Sequence, residues 1–428
     1  MKKIYIYIFL LCSFTALAQN PAPASEVNKV LLFGGRAHLG NGDVIEQSAI
    51  GLDRGKISFI MDSRGFKPDP SSFDTIIYLD GKEMYPGFIA MNTDLGLREI
   101  ELVRSTIDNS ETGSLNPSVR AISAYNTDSK IIPTVRSNGI LLAQIVPSGG
   151  LISGSSSVVQ LDAWNWEDAA VKTDEGLIMN WPSMRIYKSE KQTEEEQREK
   201  MDKQLAEVDK LFTDAKSYSL IKDPAIINQH LEAMRGLFNG SKKLYIRCNY
   251  IKEIITAVQF CKQQGIKMVL VDGADSWKAT DLLKENKVPV VIIRTHSLPS
   301  RDDDDADLPY KLPYLLYKAG VQFCITDDGY WQQRNVPFEA GTAVAYNLPY
   351  EEAVRSITSA PAEILGIGDR TGILKDGMDA TLIVSSGDAL DMKSCKIEMA
   401  FINGREISLD NIQTQLYQKY MKKYGFAE

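Results

Sequence analysis

The chain has 428 residues, 44% of them hydrophobic and 24% charged, an ordinary globular balance with length enough for one large domain and a smaller one. Its formal net charge is −8, and no block of Lys and Arg offsets it, which argues against nucleic acid or an anionic membrane surface as a partner.

In chain order, Lys2 and Lys3 precede the apolar run Ile4 to Leu11 and then Ala16-Leu17-Ala18. This pattern predicts a signal peptide over 1–18 with an A-x-A cleavage site. The run is too short to span a bilayer, and Leu11 before Cys12 is not the small residue that lipidation prefers. The mature protein is expected to be exported to the periplasm, with no membrane association after cleavage and a net charge near −10 once Lys2 and Lys3 are removed. The remaining cysteines, Cys248, Cys261, Cys324 and Cys395, form no C-x-x-C pair and read as buried free thiols.

The segment from Val30 to Asp80 reads as β structure: Val30-Leu31-Leu32-Phe33, two strands around a tight turn at Asp53-Arg54-Gly55, and Thr75-Ile76-Ile77-Tyr78. The C-terminal part has a matching set at Gly372-Ile373-Leu374, at Ala380 to Val384, and at Ile397 to Ile402 before the turn pair Asn403-Gly404. The two ends are expected to form one small composite β-sandwich domain over 19–85 plus 371–409. Between them, apolar strand candidates alternate with helical stretches: 87–94, 139–147, 156–162, 177–181, 243–249, 268–273, 289–296 and 321–327. Eight such units predict an α/β fold, a (β/α)8 TIM barrel over 86–370 whose reactive groups sit at the strand C-termini.

Two further helices are predicted. The charged stretch 189–218 places Leu205, Val208, Leu211, Phe212 and Ala215 on one face. The last, over 410–428, is capped by Asp410 and carries Ile412, Leu416, Tyr420 and Tyr424 at i+4 spacing. It is expected to dock on the barrel.

Several stretches resemble the metal-dependent amidohydrolase superfamily, and its imidazolonepropionase-like branch in particular. They are Tyr85-Pro86-Gly87-Phe88-Ile89-Ala90-Met91-Asn92-Thr93-Asp94; Asn116-Pro117-Ser118-Val119-Arg120-Ala121 with Asn126-Thr127-Asp128-Ser129; and Ser359-Ala360-Pro361-Ala362 leading to Gly372-Ile373-Leu374-Lys375-Asp376-Gly377-Met378-Asp379-Ala380. The resemblance implies hydrolysis of non-peptide C–N bonds, with some relatives cleaving dipeptides. It implies metal held by His-x-His on strand 1, Lys or Glu on strand 4, and His on strands 5 and 6. There the metal activates a water and an Asp on strand 8 moves its proton.

In this sequence those positions read differently. Asn92 and Asp94 stand for His-x-His, Arg247 and Asp272 stand for the histidines of strands 5 and 6, and strand 4 ends near Asn180 and Trp181. Asp327 keeps the strand 8 acid, with Asp328 as the alternative register. The three histidines, His38, His230 and His296, lie at none of the family's ligand positions. A guanidinium stays protonated and offers no lone pair to a metal, so Arg247 is expected to pair with Asp272, Asp327 or both and to replace the metal with a fixed charge. No cofactor follows from this arrangement. The competing reading is a hard divalent cation held by Asp94, Asp272 and Asp327.

Together these features predict an amidohydrolase-like protein that has lost its metal ligands and its hydrolytic power, with Asp327 as the single retained catalytic candidate. A homodimer, or a heterodimer with an intact paralogue, is the expected assembly. An active hydrolase with an oxygen-rich metal site, and a periplasmic binding module taking a small molecule at Arg247, are the alternatives.

Overall fold

The computed structural model describes residues 28–188 and 190–426. The expected signal peptide lies outside them. All eight barrel strands form, as β1 (Phe88–Thr93), β2 (Ile140–Ile145), β3 (Ile152–Gln160), β4 (Ala170–Asn180), β5 (Lys243–Cys248), β6 (Met268–Asp272), β7 (Val290–Ile293) and β8 (Phe323–Thr326). They hydrogen-bond in sequence order into one eight-stranded sheet. The Thr326 hydroxyl closes the seam, accepting from Met91 N at 3.1 Å and donating to Met91 O at 2.7 Å. The result is a nearly closed barrel sheet within a mixed α/β fold.

The sheet is not built from eight equal units. β3 runs antiparallel to both β2 and β4. The reason lies in the connections. A parallel crossover needs a dozen or more residues, whereas the 146–151 link turns through Gly149 and Gly150, at φ 85° and 65°. The return to β4 holds only the four-residue helix Trp166–Ala169. Helices therefore cover the β4-to-β8 half: Glu194–Ser219, Gln229–Asn239, Ile251–Gln264, Thr280–Glu285 and Leu308–Ala319. Strand alternation splits the core in two. Ile89, Met91, Val158, Ile178, Tyr245, Val269, Val271, Val291 and Cys324 pack together inside the barrel. Ala90, Met179, Ile246, Leu270, Ile292 and Ile325 pack outward with the helices.

The Glu194–Ser219 helix begins where Thr193 and Glu196 form a reciprocal capping box, and it buries Val208, Phe212, Ala215 and Tyr218 as its spacing predicts. The last helix, Ile412–Lys423, departs from expectation. Its cap is Asn411 rather than Asp410, and it buries no residue along its length. It is fixed at its start, where Thr134 donates to Gln413 at 2.7 Å and Asn411 donates to Ser137 at 3.0 Å. Side-chain hydrogen bonds position it; apolar docking does not.

Strands from both ends of the chain share a sheet, in the order Arg405–Glu406, Ile397–Ile402, Leu382–Ser385, Glu83–Pro86, Arg36–His38, Val44–Ile45. A four-stranded sheet orders Lys56–Asp62, Ser48–Asp53, Val30–Phe33, Thr75–Tyr78. Leu32, Ile50, Leu52 and Ile57 bury against Leu374, Leu382, Val384 and Phe401 in one core. The turns at Arg54-Gly55 and Asn403-Gly404 take the paired positive φ that tight hairpins require. The strand expected at Gly372-Ile373-Leu374 does not form: Gly372 sits at φ 95°, and Leu374 gives one isolated bond to Leu39 O.

Cys248, Cys261 and Cys324 are buried free thiols, and Cys395 is a half-buried one. No helix among the described residues is long and apolar enough to cross a membrane.

Candidate functional site at the barrel mouth

β1 ends in a bulge, its ladder to β2 shifting register between Ala90 and Thr93. There Asn92 takes a left-handed backbone at φ 54°, a conformation Asn tolerates better than most residues. Asn92 is buried, and its Oδ1 accepts from Arg247 Nη2 at 2.8 Å and from Nε at 3.3 Å. Its backbone N–H bonds Gln144 Oε1 at 3.1 Å. Asn92 and Arg247 thus join the ends of strands 1 and 5, where the resemblance implies imidazoles.

The expected pairing of Arg247 with the acids is not what forms. In the parallel β5–β6 ladder Arg247 stands beside Val271, and Cys248 beside Asp272. Val271 belongs to the barrel interior and Cys248 to the helical layer. The period of two therefore sends Arg247 and Asp272 to opposite faces. No ion pair joins Arg247 to Asp272 or Asp327 among the described residues. Arg247 still acts on Asp272 at a distance: burial pushes the Asp272 carboxyl above the usual range, the guanidinium opposes that rise and Asp328 adds to it.

Asp94 is buried and held by two donors, Asn109 Nδ2 at 2.9 Å and Arg98 Nη1 at 3.1 Å. Arg98 lies over the Tyr330 ring, 5.2 Å from its centroid. Asp327 follows β8 and is buried, whereas Asp328 is exposed. Asp327 Oδ1 accepts the backbone N–H of Asp328 at 2.7 Å, and Arg294 Nε lies 3.9 Å away. Its decisive neighbour is Glu339, on the helix Val336–Ala345 and fully buried. Burial, then the Asp327 charge, push the Glu339 carboxyl up to about 9, against donation from Thr295 N at 2.8 Å. Burial also raises Asp327, against the backbone N–H of Asp328 and the charge of Arg294.

Glu339 is absent from the sequence reading, although one acid among the buried Val336, Pro337, Ala340 and Ala343 is a signal that could have found it. Also missed is Glu175, a fully enclosed acid inside the barrel wall. It accepts from Gln144 at 2.6 Å, Ser156 at 2.6 Å and Tyr245 at 2.9 Å. Of the histidines, only His296 lies near these groups, close enough to feel the Asp327 and Arg294 charges. His38 is sandwiched between Glu83 and Glu351 beneath Tyr85, His230 is exposed, and His296 bonds Thr342 at 2.6 Å.

The residues present do not fit an imidazole-bound transition metal, since a protonated guanidinium bonded to Asn92 stands where the resemblance implies a ligand. Among the described residues, no three His, Cys, Asp or Glu side chains are grouped as a metal site requires. The acidic segment 302–307 is tied down through Arg301, which pairs with Asp275 and with Asp304 at 3.6 Å.

No family model matches the chain. A segment of 86 residues is 34% identical to Amidohydrolase tasK of Hapsidospora irregularis, spanning 20% of this chain and 9% of that protein. Among solved structures, the amidohydrolase from Thermotoga maritima MSB8 matches at a TM-score of 0.77 and 24% identity, over 89% of this chain and 100% of that one. A Xaa-Pro dipeptidase with bound methionine matches at 0.54 and 14%, covering 89% and 100%. Molinate hydrolase matches at 0.56 and 14%, covering 90% and 96%. The chain has the fold of the Thermotoga maritima amidohydrolase.

Proposed function

We propose that this chain is an exported member of the amidohydrolase superfamily in which a fixed guanidinium–amide pair has replaced the metal centre, so that metal-activated hydrolysis of C–N bonds is lost. Its two β-sheets form the composite β-sandwich beside a (β/α)8-type barrel, and residues 1–18 direct export to the periplasm. The observation that carries the reading is the Arg247–Asn92 hydrogen bond, 2.8 Å long, at the ends of strands 1 and 5. A cation placed beside Arg247 meets a like charge, and neither Arg247 nor Asn92 carries an imidazole lone pair. The engagement of Asp94 by Arg98 and Asn109 weighs against the divalent-cation alternative at Asp94, Asp272 and Asp327.

The test is metal content and turnover together. Mature protein purified from zinc- and manganese-supplemented cells is expected to carry far less than one metal per chain. It is also expected to release no amine from N-acyl amino acids, dipeptides or cyclic amides above the buffer rate. Stoichiometric zinc with turnover that disappears in Asp272→Asn or Asp327→Asn would overturn it. A second role, as a subunit paired with an intact paralogue, predicts co-purification of the two when both are expressed.

A further inference from the structure

A cavity of about 250 Å³ opens between the ends of β6 and β7 and the helix Leu308–Ala319. It is separate from the Arg247–Asn92 pair, which contributes no wall to it. One side is apolar, made by Ile292, Leu298, Leu308 and Leu312; the other presents Asp272, Asp304 and Arg294, with Asp304 engaged by Arg301 at 3.6 Å. Among the described residues the Asp272 carboxyl accepts no hydrogen bond. The Arg294 guanidinium likewise donates none, reaching only Asp327 Oδ1 at 3.9 Å. The cavity thus presents a partly buried carboxyl without a donor and a half-exposed guanidinium without an acceptor within hydrogen-bonding distance. A carboxyl withdrawn from water without a donor is unfavourable unless something else satisfies it. Both residues also hold left-handed backbones, at φ 72° and 59°, strain of the kind that collects at ligand sites. Leu298, on the rim, is 87% exposed, so an apolar occupant would gain contact there.

The walls constrain the occupant in three ways. The volume lies below the range of about 300–1,000 Å³ that holds drug-sized ligands, so one small molecule fits and an extended peptide does not. The carboxyl calls for a donor, best a cation, and the guanidinium calls for a planar anion such as a carboxylate. The apolar side calls for a branched aliphatic group. We propose that this cavity binds a free aliphatic α-amino acid of about leucine size. Its ammonium meets Asp272, its carboxylate meets Arg294, and its side chain lies against Ile292 and Leu312. This site does not rest on the reading of the vacated metal centre: zinc-dependent turnover lost in Asp327→Asn but kept in Asp272→Asn would overturn that reading and leave the cavity untouched.

Calorimetric titration of the mature protein with L-leucine tests the proposal. Saturable binding is expected, with 4-methylpentanoate (no ammonium) and isoamylamine (no carboxylate) each weaker by about tenfold or more, as loss of one charged hydrogen bond implies. Asp272→Asn and Arg294→Gln are each expected to weaken leucine by a similar factor. Leu298→Trp narrows the exposed rim and is expected to weaken leucine by about tenfold while leaving the far-UV spectrum and melting temperature near wild type, which guards against a variant that fails to fold. Three results overturn the proposal: no heat with L-leucine, leucine binding unchanged by all three substitutions, or 4-methylpentanoate binding as tightly as leucine.

Discussion

Glu339 is buried beside Asp327, and burial together with the Asp327 charge holds its carboxyl well above the usual range. Two carboxylates this close cannot both ionise without mutual repulsion. The consequence for stability follows from linkage. Glu339 moves from an ordinary 4.5 to about 9 on folding, so between those values the native state binds more protons than the unfolded chain. Stability then falls as pH rises through that window. Glu339→Gln removes the titration. The variant is expected to melt close to wild type near pH 5 and increasingly above it toward pH 9, and parallel melting curves at all pH values would refute the raised Glu339 carboxyl.

The Asn92–Arg247 contact predicts energetic coupling. Asn92→Ala and Arg247→Met each remove one partner of a charge-assisted hydrogen bond at a half-buried site. Urea denaturation of both single variants and the double variant should give a coupling energy of about 1–2 kcal/mol, the lower part of the range for charged hydrogen bonds because Arg247 is partly solvated. Additive losses would mean that the two side chains are merely adjacent. Asn92→Gly should also cost less than Asn92→Val, since φ 54° is easy for glycine and strained for a β-branched residue.

The strands were legible because each is an apolar run bounded by turn residues, and the family likeness put Arg247, Asp272 and Asp327 near strand ends, where they are found. What the sequence concealed was facing. Arg247 and Asp272 occupy analogous places on adjacent strands, yet the β5–β6 register turns one inward and the other toward the helices. A one-residue offset reverses a side chain, and no single sequence displays its own register. The reversal of β3 was hidden for a related reason: strand runs look alike in either direction, and only the shortness of the 146–151 link betrays the antiparallel return. Glu339 was hidden because its partner lies twelve residues away across a strand-to-helix turn.

His38 predicts a second pH dependence of definite sign. Burial alone would lower its pKa, but the hydrogen bond to Glu351 at 2.7 Å and the nearby Glu83 carboxylate at 3.3 Å outweigh it, so the folded value lies above 6.5. A raised cation pKa contributes stability in full below the unfolded value and loses it as pH rises through the folded value. His38→Gln should therefore be most destabilising at pH 5–6 and progressively less so above neutrality. Equal losses at both ends of the range would show that packing against Tyr85, not charge, is what the ring supplies.

Glu175 gives the sharpest mutational contrast. Three donors converge on it inside the barrel, from Gln144, Ser156 and Tyr245, and Gln144 also accepts the backbone N–H of Asn92. Glu175→Leu strands those donors without water, and each unpaired buried group costs about 1–3 kcal/mol, so a loss of about 3 kcal/mol or more is expected by urea denaturation. Removing donors as well should recover much of it, because an apolar replacement of both partners can be nearly neutral. Tyr245→Phe in the Glu175→Leu background is therefore expected to be stabilising, whereas Tyr245→Phe alone is destabilising. The same substitution changing sign with the residue at 175 distinguishes a hydrogen-bonded network from simple filling of the barrel. Failure of that sign change would mean that Glu175 contributes volume rather than charge. It would also mean that the link through Gln144 does not help hold Asn92 in place beside Arg247.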